Sequence, residues 1–170
     1  MSVPSLVVVA AVALVLLASC GGAAGPRGAA ELPPDLGGVL SGQLDCAGSA
    51  LVTIRQHRYD FTGDGVPDAL VAVRCDAGAG APPSAVFAVA ATKAGPRVVD
   101  ELLTPDAGEV VSELTGIGPT AVVTTFAYSP DAPRCCPDLA ATHTYHWDGA
   151  EFDAGTRVAT PLPSTAPGDG

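Results

Sequence analysis

The chain has 170 residues, five of them Cys, and a formal net charge of −10 at pH 7. An acidic surplus this large repels phosphate backbones and anionic lipid head groups. It excludes nucleic acid as the expected partner and a basic patch as the means of membrane attachment. One Lys against seven Arg, with abundant Ala, Gly and Pro, is the composition of a high-GC bacterial chain and is read as origin rather than function.

The N-terminus carries an uninterrupted apolar run from Leu6 to Leu17, followed by Ala18-Ser19-Cys20-Gly21. The run falls short of the roughly 20 apolar residues that a bilayer core requires. Small residues at its end predict a cleaved export signal rather than a spanning helix. No Lys or Arg precedes Cys20, so the amino group of Met1 is the only charge ahead of the run. Leu17-Ala18-Ser19-Cys20 resembles the lipobox of bacterial lipoproteins: a branched apolar residue at −3, small residues at −2 and −1, and Cys at +1. The resemblance implies removal of residues 1–19 and attachment of a diacylglycerol to the Cys20 sulfur. It places the protein on the extracytoplasmic face of the cell membrane, with lipid (palmitate-type acyl chains) as its anchor. Two acyl chains suffice for stable anchoring where one is marginal.

Residues 21–38 are small and Gly/Pro-rich without hydrophobic periodicity, so 20–39 is expected to be a flexible membrane tether. The folded unit is expected over 40–158, and 159–170 (ATPLPSTAPGDG) as a disordered tail.

Between those limits the chain reads as short runs punctuated by Gly, Pro and Asp. Leu51–Tyr59 is compatible with a strand. Ala69–Cys75 alternates, with Val71, Val73 and Cys75 on one face. Ala85–Thr92 puts Phe87 and Val89 on one face, and Arg97–Leu103 is a further candidate. Glu109–Thr115 and Thr120–Tyr128 flank the turn signal Gly116-Ile117-Gly118-Pro119, and Val122, Phe126 and Tyr128 share a face. Thr142–Trp147 and Glu151–Val158 flank Asp148-Gly149, a dipeptide suited to tight hairpins because Gly tolerates positive φ. Trp147 and Phe152 stand beside that turn, placed to cover an apolar face. The short gaps suit hairpins, not helical crossovers. The predicted fold is all-β: about seven strands in a small antiparallel curved sheet or sandwich.

Asp60-Phe61-Thr62-Gly63-Asp64-Gly65-Val66-Pro67-Asp68 carries oxygen side chains at positions 1, 3, 5 and 9 and Gly at 6. Calcium takes six to eight hard oxygen ligands, and Gly at 6 permits the sharp turn that brings alternate residues inward. Asp60, Asp64 and Asp68 would supply carboxylates, Thr62 its hydroxyl and Val66 its carbonyl. The segment resembles the calcium loops of FG-GAP and VCBS-type repeats, where such a loop joins two strands. It occurs once here, so a propeller is not implied. The other reading is a metal-free Asp/Gly turn whose carboxylates accept backbone N–H groups. A calcium ion held by so many protein ligands would be structural.

An odd cysteine count in an exported chain is resolved by lipidation of Cys20. Cys46, Cys75, Cys135 and Cys136 are expected to form two disulfides in an oxidising envelope. A bond between adjacent cysteines closes a strained ring. The favoured arrangement therefore joins Cys46 and Cys75 each to one of Cys135 and Cys136; the alternative pairs Cys46 with Cys75 and Cys135 with Cys136. His143 and His146 follow the vicinal pair and suggest a zinc or copper site, but three residues apart on a strand they point to opposite faces. Thr62-Gly63-Asp64-Gly65, Arg74-Cys75, Cys135-Cys136-Pro137 and the Trp147–Phe152 hairpin together resemble a group of small exported lipoproteins of high-GC Gram-positive bacteria. That resemblance implies no activity.

No G-x-S-x-G, H-E-x-x-H or S-x-x-K motif occurs, Ser129 lies in a turn pattern, and His57 reads as a solvated strand residue. The expected function is a membrane-anchored, non-catalytic binding or envelope-associated module with an unknown envelope protein or ligand as partner. Two rivals stand beside it. A secreted hydrolase would show a cleft with converging polar groups and a shifted carboxylate or His. An envelope metal-handling protein would show free thiols at Cys135 and Cys136.

Overall fold

The structure is a computed structural model that describes residues 29–163 apart from 79, 81 and 134. The expected signal peptide, Cys20 and residues 164–170 lie outside the described residues. No described helix is long and apolar enough to cross a membrane.

The chain is all-β, as its alternation predicted. Eight strands are described: β1 (Leu51–Tyr59), β2 (Asp68–Cys75), β3 (Ala85–Thr92), β4 (Gly95–Leu103), β5 (Val110–Ile117), β6 (Thr120–Ala127), β7 (Leu139–Trp147) and β8 (Phe152–Pro161). They form two antiparallel four-stranded meanders, β1-β2-β3-β4 and β5-β6-β7-β8. A single 3-10 turn, Pro105–Ala107, carries the chain from one sheet to the other. Every run marked in the sequence is a strand, with ends displaced by a few residues.

The sheets pack face to face. Leu70, Ala72, Val86, Ala88, Ala90, Leu102 and Leu103 of the first meet Val111, Leu114, Ala121, Val123, Tyr145, Trp147 and Phe152 of the second. Phe61 plugs one end, its ring 5.1 Å from that of Trp147 and 5.0 Å from that of Phe152 in edge-on contacts. Trp147 and Phe152 therefore cover apolar surface beside their turn, as their position suggested. β1 lies over β5, and the Tyr59 ring crosses Gly116, where a Cβ would collide with it. That clearance, not a turn, is what Gly116 supplies: it lies inside β5, and the turn is Gly118-Pro119.

In β6 the buried face is Ala121, Val123, Thr125 and Ala127, while Phe126 is 40% exposed. The bulkier alternating set Val122, Phe126 and Tyr128 turns away from the core. Small inward residues make room there for Tyr145 and for the polar group described below.

β2 and β3 are buried on both faces. Their outer face (Ala69, Val71, Val73, Ala85, Phe87, Val89, Ala91) is covered by Leu32, Leu36 and Leu40, all essentially inaccessible. Residues 29–44 thus form a strap across the sheet. Ala30 donates to the Thr92 carbonyl at one end, and Arg58 donates to the carbonyls of Leu32 and Pro33. The tether expected over 20–39 is corrected here: its residues 29–39 belong to the folded domain. The tail is shortened too, since β8 runs to Pro161 and Leu162 donates to the Asp138 carbonyl.

The disulfide joins Cys46 to Cys75, with a Cα–Cα distance of 5.3 Å. The favoured pairing of these cysteines with Cys135 and Cys136 is thereby overturned. Strap and β2 end together, which brings Cys46 to Cys75, whereas Cys135 and Cys136 sit on the connection from β6 to β7 and are unbonded and exposed. The bridge fixes the strap's exit. Closing a loop of this length restricts the unfolded chain by about 3.5 kcal/mol.

The sandwich has two ends. The hairpin end gathers the loop 60–67 and the turns β3–β4, β5–β6 and β7–β8. The cysteine end gathers the disulfide, the start of β3, the 3-10 turn, the start of β5 and the loop 128–138.

Candidate functional site

At the cysteine end, one carboxylate organises polar residues from three strands of the second sheet, β6, β7 and β8. Glu109 immediately precedes β5, and its side chain is only 6% exposed. Its Oε2 accepts from the Thr125 hydroxyl of β6 at 2.5 Å and lies 2.6 Å from His143 Nε2 of β7. Its Oε1 accepts from Arg157 Nε and Nη2 of β8 at 3.1 and 2.7 Å. Strand pairing explains the meeting. His143 is paired with both Val123 and Arg157, and Thr125 is paired with Val111, two residues after Glu109. Thr125, His143 and Arg157 fall on the face of the sheet that carries Val123. Ser84, fully buried, fastens the two sheets at this point: its N–H donates to the Glu109 carbonyl, and its hydroxyl accepts from Val111 N–H.

Burial raises the Glu109 pKa, but hydrogen bonds from Thr125, Arg157 and His143, together with the His143 charge, outweigh it and hold the carboxyl below its ordinary value. His143 stacks nearly parallel on Tyr145, at 9° and 6.4 Å. Burial, with the Glu109 and Asp100 charges adding, pushes the Tyr145 phenol up to about 12. Arg157 remains half exposed, and beside it opens a cleft of about 540 Å³. Its walls include Pro83, Glu109, Val110, Tyr128, Ser129 and Arg157. Ser129 donates to Asp138 through both N–H and hydroxyl, at 2.8 and 2.5 Å, which holds the Asp138 pKa down.

The sequence did not single out Glu109, Thr125 or Arg157. A signal was present: Thr125, His143 and Arg157 fall at inward positions of strands whose other inward residues are apolar or small. The hydrolase reading asked for a cleft with converging polar groups, and one is here. Its carboxylate, however, is shifted down and has both oxygens engaged, the reverse of a general acid or base poised near neutral pH. Thr125, the hydroxyl beside it, is buried and donates to that carboxylate.

The other expected site residues behave differently. In the loop 60–68, Asp60 Oδ1 accepts from Gly63 and Asp64 N–H at 2.6 and 3.2 Å, and its Oδ2 from Gly65 N–H at 2.8 Å. Asp64 Oδ1 accepts from Val66 N–H at 2.8 Å. Asp68 is fully buried and accepts from Phe61, Thr62 and Ala91 N–H at 3.1, 3.0 and 2.9 Å. Burial raises its pKa against the pull of those donors. The Thr62 hydroxyl donates to Asp60 at 3.3 Å. Gly63 and Gly65 have φ of 76° and 86°, which lets the loop curl tightly enough for these contacts. Asp68 faces inward on the sheet, leaving Asp60 and Asp64 as the outer carboxylates, and Val66 as a backbone carbonyl.

His143 is held by Glu109, and His146, pointing to the opposite face, is exposed. The two histidines therefore do not meet. Among the described residues no group of three or more His, Cys, Asp or Glu side chains is placed to hold a metal ion. The unbonded Cys135 and Cys136 match the free thiols that the metal-handling reading requires, without the histidines that would complete its ligand set. His57 is not solvated as expected: its Nε2 is buried with no hydrogen-bond partner, and its ring lies 5.4 Å from that of Tyr59.

No family model, no curated protein and no solved structure matches this chain, so the reading of its site rests on its own residues.

Proposed function

We propose that the protein is a lipid-anchored extracytoplasmic binding module, held to the membrane through Cys20 and using the cleft beside Arg157 to hold a ligand or an envelope partner. The observation that carries the binding reading is Glu109. A buried carboxylate with both oxygens engaged fixes the shape and charge of the cleft rather than exchanging protons. The outward edge of Arg157 and the wall formed by Tyr128 and Ser129 remain to meet a ligand. The strap supports the anchoring. Ala29 lies nine residues beyond Cys20, a span of at most about 30 Å even fully extended. Ala30 is pinned at the hairpin end, on Thr92. The cleft opens at the other end of β3, so this arrangement favours a cleft that faces away from the membrane.

Two comparisons test the reading. Wild type is expected in the membrane fraction and Cys20→Ala in the soluble fraction; equal partition of the two removes the anchor. A photoactivatable residue replacing Tyr128 in the anchored protein is expected to give adducts that the same residue at His146, exposed at the hairpin end of β7, does not. Equal yields from the two positions overturn the cleft.

For the loop 60–68 the proposal is narrower. Calcium there would be structural, bound at the surface by Asp60 and Asp64 with the Val66 carbonyl, and Asp68 would stay with its backbone donors.

A further inference from the structure

Joining Cys46 to Cys75 leaves Cys135 and Cys136 without a disulfide partner elsewhere among the described residues. The fifth cysteine is Cys20, the expected lipid site. Both thiols are exposed, on the loop 128–138 between β6 and β7. The neck of this loop is closed independently of them. Ser129 holds Asp138 through two hydrogen bonds, and the Asp138 carbonyl accepts from Leu162 at 2.8 Å. Within the neck, Ala132 N–H bonds the Ser129 carbonyl and Cys136 N–H bonds the Pro133 carbonyl. A change at the two sulfurs can therefore take place without loosening the strands.

We propose that Cys135 and Cys136 form a dithiol–disulfide exchange site whose substrates are disulfides, and that the arrangement described here is its reduced form. Covalent geometry separates this pair from the structural bridge. Adjacent Cα atoms stand about 3.8 Å apart across a trans peptide. Relaxed disulfides span about 4.4–6.8 Å, a range that includes the 5.3 Å of Cys46–Cys75. A bridge between neighbours is strained, and strained, exposed bridges are the easily reduced ones. The pair is thus built to cycle, while Cys46–Cys75 is built to persist.

The step balances without a metal or other cofactor. The thiolate of one cysteine attacks a sulfur of an external disulfide, forming a mixed disulfide and releasing one external thiol. The thiolate of its neighbour attacks the protein sulfur of that mixed disulfide, closing the vicinal bridge and releasing the second thiol. Two protein thiols are oxidised by two electrons, one disulfide is reduced, and two protons pass to the released thiolates. The extracytoplasmic reading bears only on where such disulfides would be met; the chemistry is independent of the anchor and of the cleft.

The test uses the purified protein in glutathione buffers that run from reducing to oxidising, with acid quenching, alkylation and peptide mass measurement. In oxidising buffer the peptide carrying Cys135 and Cys136 is expected to lose two hydrogens and to escape alkylation. It is expected to reopen at a reducing strength at least tenfold weaker than that which opens Cys46–Cys75. Cys136→Ser is expected to accumulate a mixed glutathione disulfide on Cys135 that the wild type, whose second thiol resolves it into the vicinal bridge, does not accumulate. The proposal is overturned if both thiols stay alkylatable at every ratio. It also fails if the two bridges open together, or if oxidation yields only intermolecular dimers.

Discussion

Glu109 is where a single residue carries the most weight. Its carboxylate is buried, and its partners come from three other strands. Because its folded pKa is lowered, the unfolded chain takes up the proton first as pH falls. The resulting stabilisation is complete above the unfolded value near 4.3 and is lost as pH drops through the lower folded value. Glu109→Gln is expected to lower stability at pH 7 by about 2–3 kcal/mol, the low end for a broken buried pair because Arg157 stays partly hydrated. The gap between variant and wild type should narrow once pH falls below the unfolded value and close below the lower folded one. Urea unfolding from pH 7 to pH 3 measures both, and a gap independent of pH would dissociate Glu109 from the acid limb.

The loop 60–68 and the strap are the two elements whose roles turned on packing. In the loop, Asp68 caps three N–H groups, two of which, those of Phe61 and Ala91, would otherwise be buried without a partner. Each such orphan costs about 1–3 kcal/mol. Asp68→Ala is expected to cost at least about 3 kcal/mol, whether or not calcium is present, whereas Asp64→Ala, at an exposed position, should cost far less. If calcium binds at Asp60 and Asp64, 10 mM calcium against chelator raises the melting temperature, and Asp64→Ala abolishes the rise. A rise that survives Asp64→Ala would place the ion elsewhere. Thermal unfolding of the three proteins separates a backbone cap from an ion ligand.

For the whole molecule, the architecture has three layers: strap, first sheet, second sheet. The strap closes a face that would otherwise expose Val71, Val73, Phe87 and Val89. A chain beginning at residue 40 lacks Leu32 and Leu36, at about 1.5–3 kcal/mol each, and loses the carbonyls that Arg58 holds. That loss of about 3–6 kcal/mol is comparable to the whole stability of many domains. Denaturant unfolding should find this truncation destabilised or unfolded, while a chain beginning at residue 29 unfolds with the midpoint of one beginning at residue 20. Equal midpoints for the two would make the strap dispensable.

The sequence by itself determined the strand runs and the all-β class, because alternation and Gly, Pro and Asp punctuation are local properties of the chain. Asp148-Gly149 marked its hairpin for the same reason, and the opposite faces of His143 and His146 followed from a spacing of three on a strand. Only the tertiary structure decided what covers what. Leu32, Leu36 and Leu40 lie in a Gly/Pro-rich stretch whose composition suggests a tether, and the doubly buried β2 and β3 recruit them. Which cysteines pair depended on where the strap ends relative to β2. Glu109, Thr125, His143 and Arg157 are scattered along the chain and have no shared motif. They become one group because antiparallel register lays four strands side by side, and register is set by contacts between strands rather than by any one of them.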